Sequence, residues 1–205
     1  MLPLLIVGLT LTAAAQFQPL ESDGPILYFI AEPGAVGGFE SGDKTLAEWA
    51  LKAWERAAEG SLRLRPATED RALLVVHWVP ATGGLYGEAM PFTKDGRSGA
   101  AIFVRPVTLG LGEQLSRLAK KDRLLRDTIL YLTCLHELGH GLGLKHTDQY
   151  DDIMYFFGHG GDIPNYFMRY RKKLETRDDI HRHSGLSGAD VKRLQQLYAD
   201  RGLSR

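Results

Sequence analysis

The sequence predicts one α+β domain, and three observations lead to that class. The chain has 205 residues, 44% of them apolar, which is enough to bury the core of a single domain. Short apolar runs bounded by glycine or proline predict five strands. Apolar residues recur at helical spacing in three other segments. A strand, a helix, four strands and then helices is an order typical of an α+β fold.

The elements are predicted as follows in chain order. The first strand covers 25–30, between Gly24 and the Pro33-Gly34 turn. Thr45 and Glu48 form a capping-box pattern that predicts a helix over 45–59. The remaining predictions are strands over 62–65, 72–79, 85–90 and 100–105, a glycine-interrupted basic connection over 106–125, a helix over 127–142, an irregular polar segment over 147–185, and a helix over 187–199 capped by Ser187.

Residues 1–15 have the pattern of a secretory signal peptide. No charge precedes Glu21, and the apolar run from Leu2 to Leu11 is shorter than the roughly 20 residues of a membrane-spanning helix. Three alanines end at Ala15, where we expect cleavage. We therefore expect a secreted protein without stable membrane insertion, whose functional domain is 16–205. An uncleaved apolar strand or membrane anchor is the alternative.

Charge and cysteine content exclude several classes. Lys plus Arg is 25 and Asp plus Glu is 25, so the formal net charge is zero, which argues against nucleic acid as a partner. The chain has one cysteine, Cys134, so it forms no intrachain disulfide. We expect this thiol to be a small buried hydrophobe.

One short motif carries chemistry. His136-Glu137-Leu138-Gly139-His140 places two imidazoles one turn apart on the same face of a helix. Gly143 lets the backbone leave the helix, so that His146 can return as a third ligand. Three histidine ligands with an open fourth position are typical of catalytic zinc, and Glu137 can reach a water there. Surface histidines on a helix and a purely structural zinc site are the alternatives.

The run from His136 to His146 resembles the zinc-binding signature of the metzincin clan of metalloproteases. Asp152-Ile153-Met154-Tyr155 is similar to the clan's Met-turn, and a tyrosine directly after the methionine resembles matrixins more than astacins or serralysins. The C-terminal Leu186-Ser187-Gly188-Ala189-Asp190 also resembles the last helix of matrixin catalytic domains.

This resemblance implies a metzincin-like domain with a twisted, mostly parallel sheet of about five strands, three main helices and an active-site helix. It implies that Zn²⁺ is held by His136, His140 and His146 above Met154, with Glu137 as general base. It further implies that the strand containing Leu85, Tyr86 and Gly87 binds an extended peptide, with Tyr155 also near the substrate.

The sequence departs from matrixins in two places. Matrixins hold a second, structural zinc with histidines before the active-site helix, and the matching stretches 85–89 and 101–104 contain none. We therefore expect one zinc per chain, while Ca²⁺ sites and the oligomeric state stay unassigned. Phe156 stands where matrixins have a proline, and the following loop is long.

Together these features predict a secreted zinc endopeptidase that acts on protein or peptide substrates. Two alternatives stay open at this point: a zinc hydrolase of a non-protein amide, and a non-catalytic module that binds a peptide or partner. Retention of Glu137 with all three histidines argues against the second.

Overall fold

The structure, a computed structural model, describes residues 17–21, 24–81 and 86–199. The predicted signal peptide and Leu85 lie outside these ranges. Five strands form one sheet in the order β2-β1-β3-β5-β4. All neighbours are parallel except β4 and β5, which form an antiparallel pair at one edge. The strands are β1 (Ile26–Ile30), β2 (Leu64–Pro66), β3 (Leu74–Trp78), β4 (Gly87–Lys94) and β5 (Arg97–Val104).

Six helices accompany this sheet within the described ranges: α1 (Asp43–Ala57), α2 (Glu113–Lys121), α3 (Arg123–Gly141), α4 (Ile163–Arg171), α5 (Asp179–Arg182) and α6 (Gly188–Ala199). Helix α3 packs against α1 and across β4 and β5. This confirms the α+β class and the mostly parallel five-stranded sheet. Among the described helices, none combines the length and the apolar character that crossing a membrane requires.

Helices α1 and α3 pack closely against each other in the core. Trp54 of α1 is fully buried, and its indole N–H donates to the carbonyl of Leu135 at 2.9 Å. Cys134 is also fully buried, which confirms its prediction as a small hydrophobe. On the sheet side, a Cβ at Gly141 would lie 2.7 Å from Leu74 Cδ2, so the glycine allows close approach of helix and strand. The end of α3 that carries the predicted metal ligands is therefore packed on both sides.

Helix α1 begins at Asp43, so the predicted capping box at Thr45 and Glu48 is wrong. The buried Asp43 carboxylate accepts the backbone N–H of Glu40 at 2.9 Å and pairs with Arg126 of α3. This buried pairing lies at the first residue of α1, which begins two residues before the predicted start at 45.

Two segments that were predicted to be irregular contain helices. In 106–125, α2 precedes α3, and Asp122 caps α3 by accepting the N–H of Leu125 at 3.0 Å. In 147–185, α4 begins after Asp162, which accepts the N–H of Asn165 at 2.9 Å, with a proline in the first turn. Both caps are local signals of a helix start that the sequence displays.

The hairpin of β4 and β5 and the start of α6 both follow local sequence signals. Strands β4 and β5 extend to a two-residue turn at Asp95 and Gly96, whose φ values of 50° and 75° are those of the tight turn that Asp-Gly favours. Helix α6 is capped as predicted, because the Ser187 hydroxyl accepts the N–H of Asp190 at 3.0 Å.

Candidate metal centre and cleft

Three histidines converge at the end of α3. The rings of His136 and His140 lie 4.9 Å apart, as expected for side chains one helical turn apart. The chain then turns at Gly143, which has a φ of +96°, and brings His146 back so that its ring centroid lies 4.5 Å from that of His140. One possible ligand atom from each of the three histidines lies within 4.8 Å of those of the other two.

The Nδ1 atoms of His136 and His140 are each hydrogen-bonded to a backbone carbonyl. His136 Nδ1 is 2.6 Å from the carbonyl of Ile153, and His140 Nδ1 is 2.9 Å from that of Leu144. Because a carbonyl only accepts, both Nδ1 atoms must carry hydrogen, which leaves each neutral Nε2 with a free lone pair. Both Nε2 atoms point at His146 Nε2, at 3.3 and 3.0 Å. Lone pairs that converge in this way fit a cation held between them.

Burial keeps these imidazoles neutral. Burial, together with the neighbouring histidines, lowers the pKa of His136 to about 3 and that of His140 to about 4, although the hydrogen bonds to the Ile153 and Leu144 carbonyls partly oppose these shifts. Burial also lowers the pKa of His146, to a smaller extent. Neutral imidazole is the form that binds a metal, so protons compete weakly for this site at neutral pH.

Met154 lies directly beneath this group. It is fully buried, and a Cβ at Gly139 would fall inside 3.0 Å of its sulfur. The turn is tied to the third histidine's segment, because the N–H of Thr147 donates to the Met154 carbonyl at 2.8 Å. The structure therefore packs the predicted Met-turn against the helical turn that separates the first two histidines.

Helix α6 braces the Met-turn from behind. Asp190, fully buried, accepts the N–H of Ile153 at 2.8 Å. Asp152 accepts the hydroxyls of Thr147 at 3.0 Å and Ser187 at 2.6 Å and pairs with Arg193. Burial alone would raise the pKa of Asp152, but these three donors outweigh it and hold that pKa below its ordinary value. The network links α6 to the segments that carry His136 and His146.

Glu137 points into the cleft beside the histidines and is 9% exposed. A Cβ at Gly87 would lie 2.6 Å from its Cγ and Oε1, so the edge strand approaches this carboxyl closely. Burial and the nearby Glu88 raise the pKa of Glu137 to about 8, although Arg105 partly opposes this rise. A cation at the three histidines would oppose that rise.

An open cleft of about 870 Å³ runs past Glu137 and the three histidines. Of the predicted substrate-binding residues, Tyr86, Gly87 and Tyr155 line it, and Leu85 lies outside the described residues. Tyr155 is 5% exposed and its hydroxyl donates to the Gly160 carbonyl at 3.0 Å, so it contributes a wall of the cleft.

Several aromatic residues that line the cleft were not predicted to do so. Tyr166 and Phe167 of α4 are buried and line the cleft next to Phe157. Phe156 lies over His146, with ring centroids 4.8 Å apart, and Phe17 lies over His140. The capped start of α4 could have located the first pair, whereas no local pattern places Phe17 near the histidines.

At the stretches that match the second zinc site of matrixins, a carboxylate lies close to a guanidinium group. Glu88 of β4 lies opposite Phe103 of β5, and Arg105 approaches Glu88 at 3.6 Å. The guanidinium of Arg105 is 6% exposed, and its Nε and Nη1 have no hydrogen-bond partner within the described chain. Within the same ranges, one group of three His, Cys, Asp or Glu side chains has the geometry to hold a metal, namely the three histidines.

One family of known proteins matches most of this chain. Residues 40–199 match the sequence profile of the family described as Matrixin, a range that includes every element from α1 to α6. Macrophage metalloelastase of Rattus norvegicus is 39% identical over 68 residues, which are 33% of this chain and 13% of that relative.

Two solved structures are similar to the chain. One is archaemetzincin from Methanopyrus kandleri, with a TM-score of 0.44 and 15% identity over 85% of this chain and 96% of that one. The other is high choriolytic enzyme 1, a hatching enzyme zinc-protease of the medaka fish Oryzias latipes, with a TM-score of 0.41 and 18% identity over 89% of this chain and 94% of that one.

Proposed function

Because this chain belongs to the matrixin family, we propose that it is a zinc-dependent endopeptidase that hydrolyses peptide bonds in proteins or peptides. The observation that carries the proposal is the convergence of three imidazole Nε2 atoms beside a buried carboxyl in an open cleft. A structural zinc site needs four protein ligands and no adjacent carboxyl. The three-nitrogen set with Glu137 beside it favours catalysis.

His136, His140 and His146 would hold one zinc ion. When bound, zinc supplies Lewis-acid polarisation of the scissile carbonyl and lowers the pKa of a water to about 7. The backbone acceptors at Ile153 and Leu144 fix the first two rings in the tautomer that this binding requires.

Glu137 is the residue that moves protons. Its carboxylate would take a proton from the attacking water and deliver it to the leaving amine, which is general base and then general acid catalysis by one group. Its close contact with Gly87 limits where the carboxyl can lie. Burial and Glu88 favour the neutral acid, which can deliver a proton to the leaving amine, while Arg105 and a bound cation would favour the charged form that accepts the first proton.

Strand β4 would bind the substrate backbone. It stands at the end of the described sheet and pairs there with β5 alone, so its other edge can accept an extended peptide as an added strand. Tyr86 and Gly87 of this edge region already line the cleft. Leu85, also predicted to bind the substrate, lies outside the described residues. The aromatic wall formed by Tyr155, Phe157 and Phe167 would receive apolar substrate side chains.

Secretion and domain bounds remain part of this proposal. Residues 1–15 would be a signal peptide removed near Ala15, and 16–205 the catalytic domain. The uncharged start of the sequence and its three alanines support this division. Mass spectrometry of the secreted protein would test it, with Gln16 expected as the first residue.

Digestion of casein and of a peptide library, with and without a chelator, tests the function. We expect cleavage of internal peptide bonds that stops with chelator and returns when zinc is restored. Zinc binding without any peptide cleavage would refute the endopeptidase. If a non-protein amide were then hydrolysed, the zinc hydrolase alternative would replace it, and peptide binding without any hydrolysis would indicate the non-catalytic module.

A further inference from the structure

The N-terminal segment (residues 17–20) reaches the metal centre. The ring of Phe17 stacks on the imidazole of His140, with ring centroids 5.3 Å apart and ring planes inclined by 19°. Phe17 also lines the cleft. Phe17, which is more than one hundred positions away in the sequence, therefore covers one face of His140, a zinc ligand in the proposed function.

Residues 17–20 are anchored to helix α6 and to the turn at Gly143. Leu20 is 2% exposed, and its N–H donates to the hydroxyl of Tyr198 in α6 at 3.2 Å. That hydroxyl donates in turn to the Leu142 carbonyl at 3.0 Å. A Cβ at Gly143 would lie 2.7 Å from Pro19 N, so the segment also packs directly on the turn that leads to His146. The anchors fix the segment to the backbone between the second and third histidines.

The stack supplies a restraint that the hydrogen bond of His140 lacks. The bond from Nδ1 to the Leu144 carbonyl fixes one edge of the imidazole but allows the ring to tilt about that bond. A parallel aromatic ring against one face opposes the tilt, because tilting would separate the stacked faces.

From this geometry we infer that Phe17 is a positioning residue of the metal centre, which holds His140 in its ligating orientation and slows release of the metal. The inference rests on the proposed zinc site and deepens it. It makes the N-terminal segment part of that site, although the segment contributes no ligand atom.

Metal release from the full-length protein tests this role directly. Zinc-loaded wild type and Phe17→Ala are mixed with excess chromogenic chelator, and the rate of zinc transfer is recorded. An aromatic contact contributes enough that its loss should speed release by about 3- to 10-fold. Phe17→Tyr keeps the ring and should restore the wild-type rate. Phe39→Ala is the matched control, since Phe39 is a half-buried ring that packs on Trp78 instead of on a metal ligand.

The outcomes separate this inference from the proposed function. Faster release in Phe17→Ala, with wild-type rates in Phe17→Tyr and Phe39→Ala, supports the role. Equal rates in Phe17→Ala and wild type would overturn it while leaving the zinc site intact, and so would equal acceleration in Phe39→Ala. A wild-type protein that takes up no zinc at all would overturn the proposed function and this inference together.

Discussion

Gly139 is the position at which one added methyl group best tests the packing beneath the metal centre. In Gly139→Ala the new Cβ would lie well inside 3.0 Å of Met154 Sδ and at 3.0 Å from Trp54 Cζ2. The indole is fixed by its bond to Leu135 at 2.9 Å, so the methionine must give way. Its sulfur would have to move by roughly 1–1.5 Å to regain ordinary contact at about 3.5–4.0 Å.

Two effects of opposite sign determine how much Gly139→Ala changes the free energy of unfolding. Replacing glycine by alanine inside a helix favours folding by about 1 kcal/mol. Overpacking a filled core costs about 1–3 kcal/mol, and the fully buried Met154 together with the fixed indole places this site at the upper end. We therefore expect Gly139→Ala to lower the free energy of unfolding by about 2 kcal/mol.

The assay is urea denaturation of metal-free protein, since bound metal would add its own stabilisation. A double-mutant cycle with Met154→Ala isolates the contact. Met154→Ala alone should cost about 2–5 kcal/mol, but it leaves room for the added methyl group. In that background we expect Gly139→Ala to be neutral or slightly stabilising. Gly188→Ala is the control, because no atom lies within 4 Å of a Cβ there.

An equal cost of Gly139→Ala in both backgrounds would refute the reasoning, because the methyl group would then act on something other than Met154. A large effect of Gly188→Ala would show that helical glycines in this chain matter for reasons unrelated to this contact.

Two further changes test the ligand set and its support. His146→Ala should weaken zinc binding by at least about tenfold in equilibrium dialysis, because only two imidazoles on one helix remain. His181 is an exposed histidine outside the group, so His181→Ala should bind zinc normally. Equal affinity in both variants would exclude His146 as a ligand. Asp152→Asn should lower the free energy of unfolding at pH 7, and this effect should shrink as the pH falls below about 4. The reason is that the pKa of Asp152 is lower in the folded protein than in the unfolded chain. Its carboxylate therefore stabilises the fold fully above the unfolded-state pKa, and the contribution is lost as the pH falls through the folded-state pKa. A pH-independent difference in urea denaturation would show that the Asp152 carboxylate charge has no such role.

Much of the metal centre follows from local sequence. The spacing of His136 and His140 is fixed by helical geometry, and the positive φ of Gly143 is a requirement that glycine meets without strain. The mostly parallel sheet followed from short apolar runs and the family resemblance. The histidine spacing and the turn depend on residues close together in the chain, which is why the sequence predicts them, whereas the parallel pairing joins distant strands and followed from the family resemblance alone.

The parts that sequence missed are of two kinds. The starts of α3 and α4 are capped by Asp122 and Asp162, local signals that the polar composition of both segments concealed. The stack of Phe17 on His140 and the pairing of Arg193 with Asp152 join distant segments. Neither contact has a periodic pattern, so each emerges only when the chain is folded.

Glu137→Gln is the most direct test of the central claim, which is that a carboxylate beside three zinc-binding histidines performs hydrolysis. The change keeps the side chain's size and removes the group that accepts a proton. General-base catalysis contributes about 10²- to 10⁴-fold, so we expect kcat for peptide cleavage to fall by at least about a hundredfold. Zinc content, measured on the same sample by elemental analysis, should stay at one ion per chain. Undiminished cleavage by the zinc-loaded variant, or loss of zinc along with activity, would contradict the account.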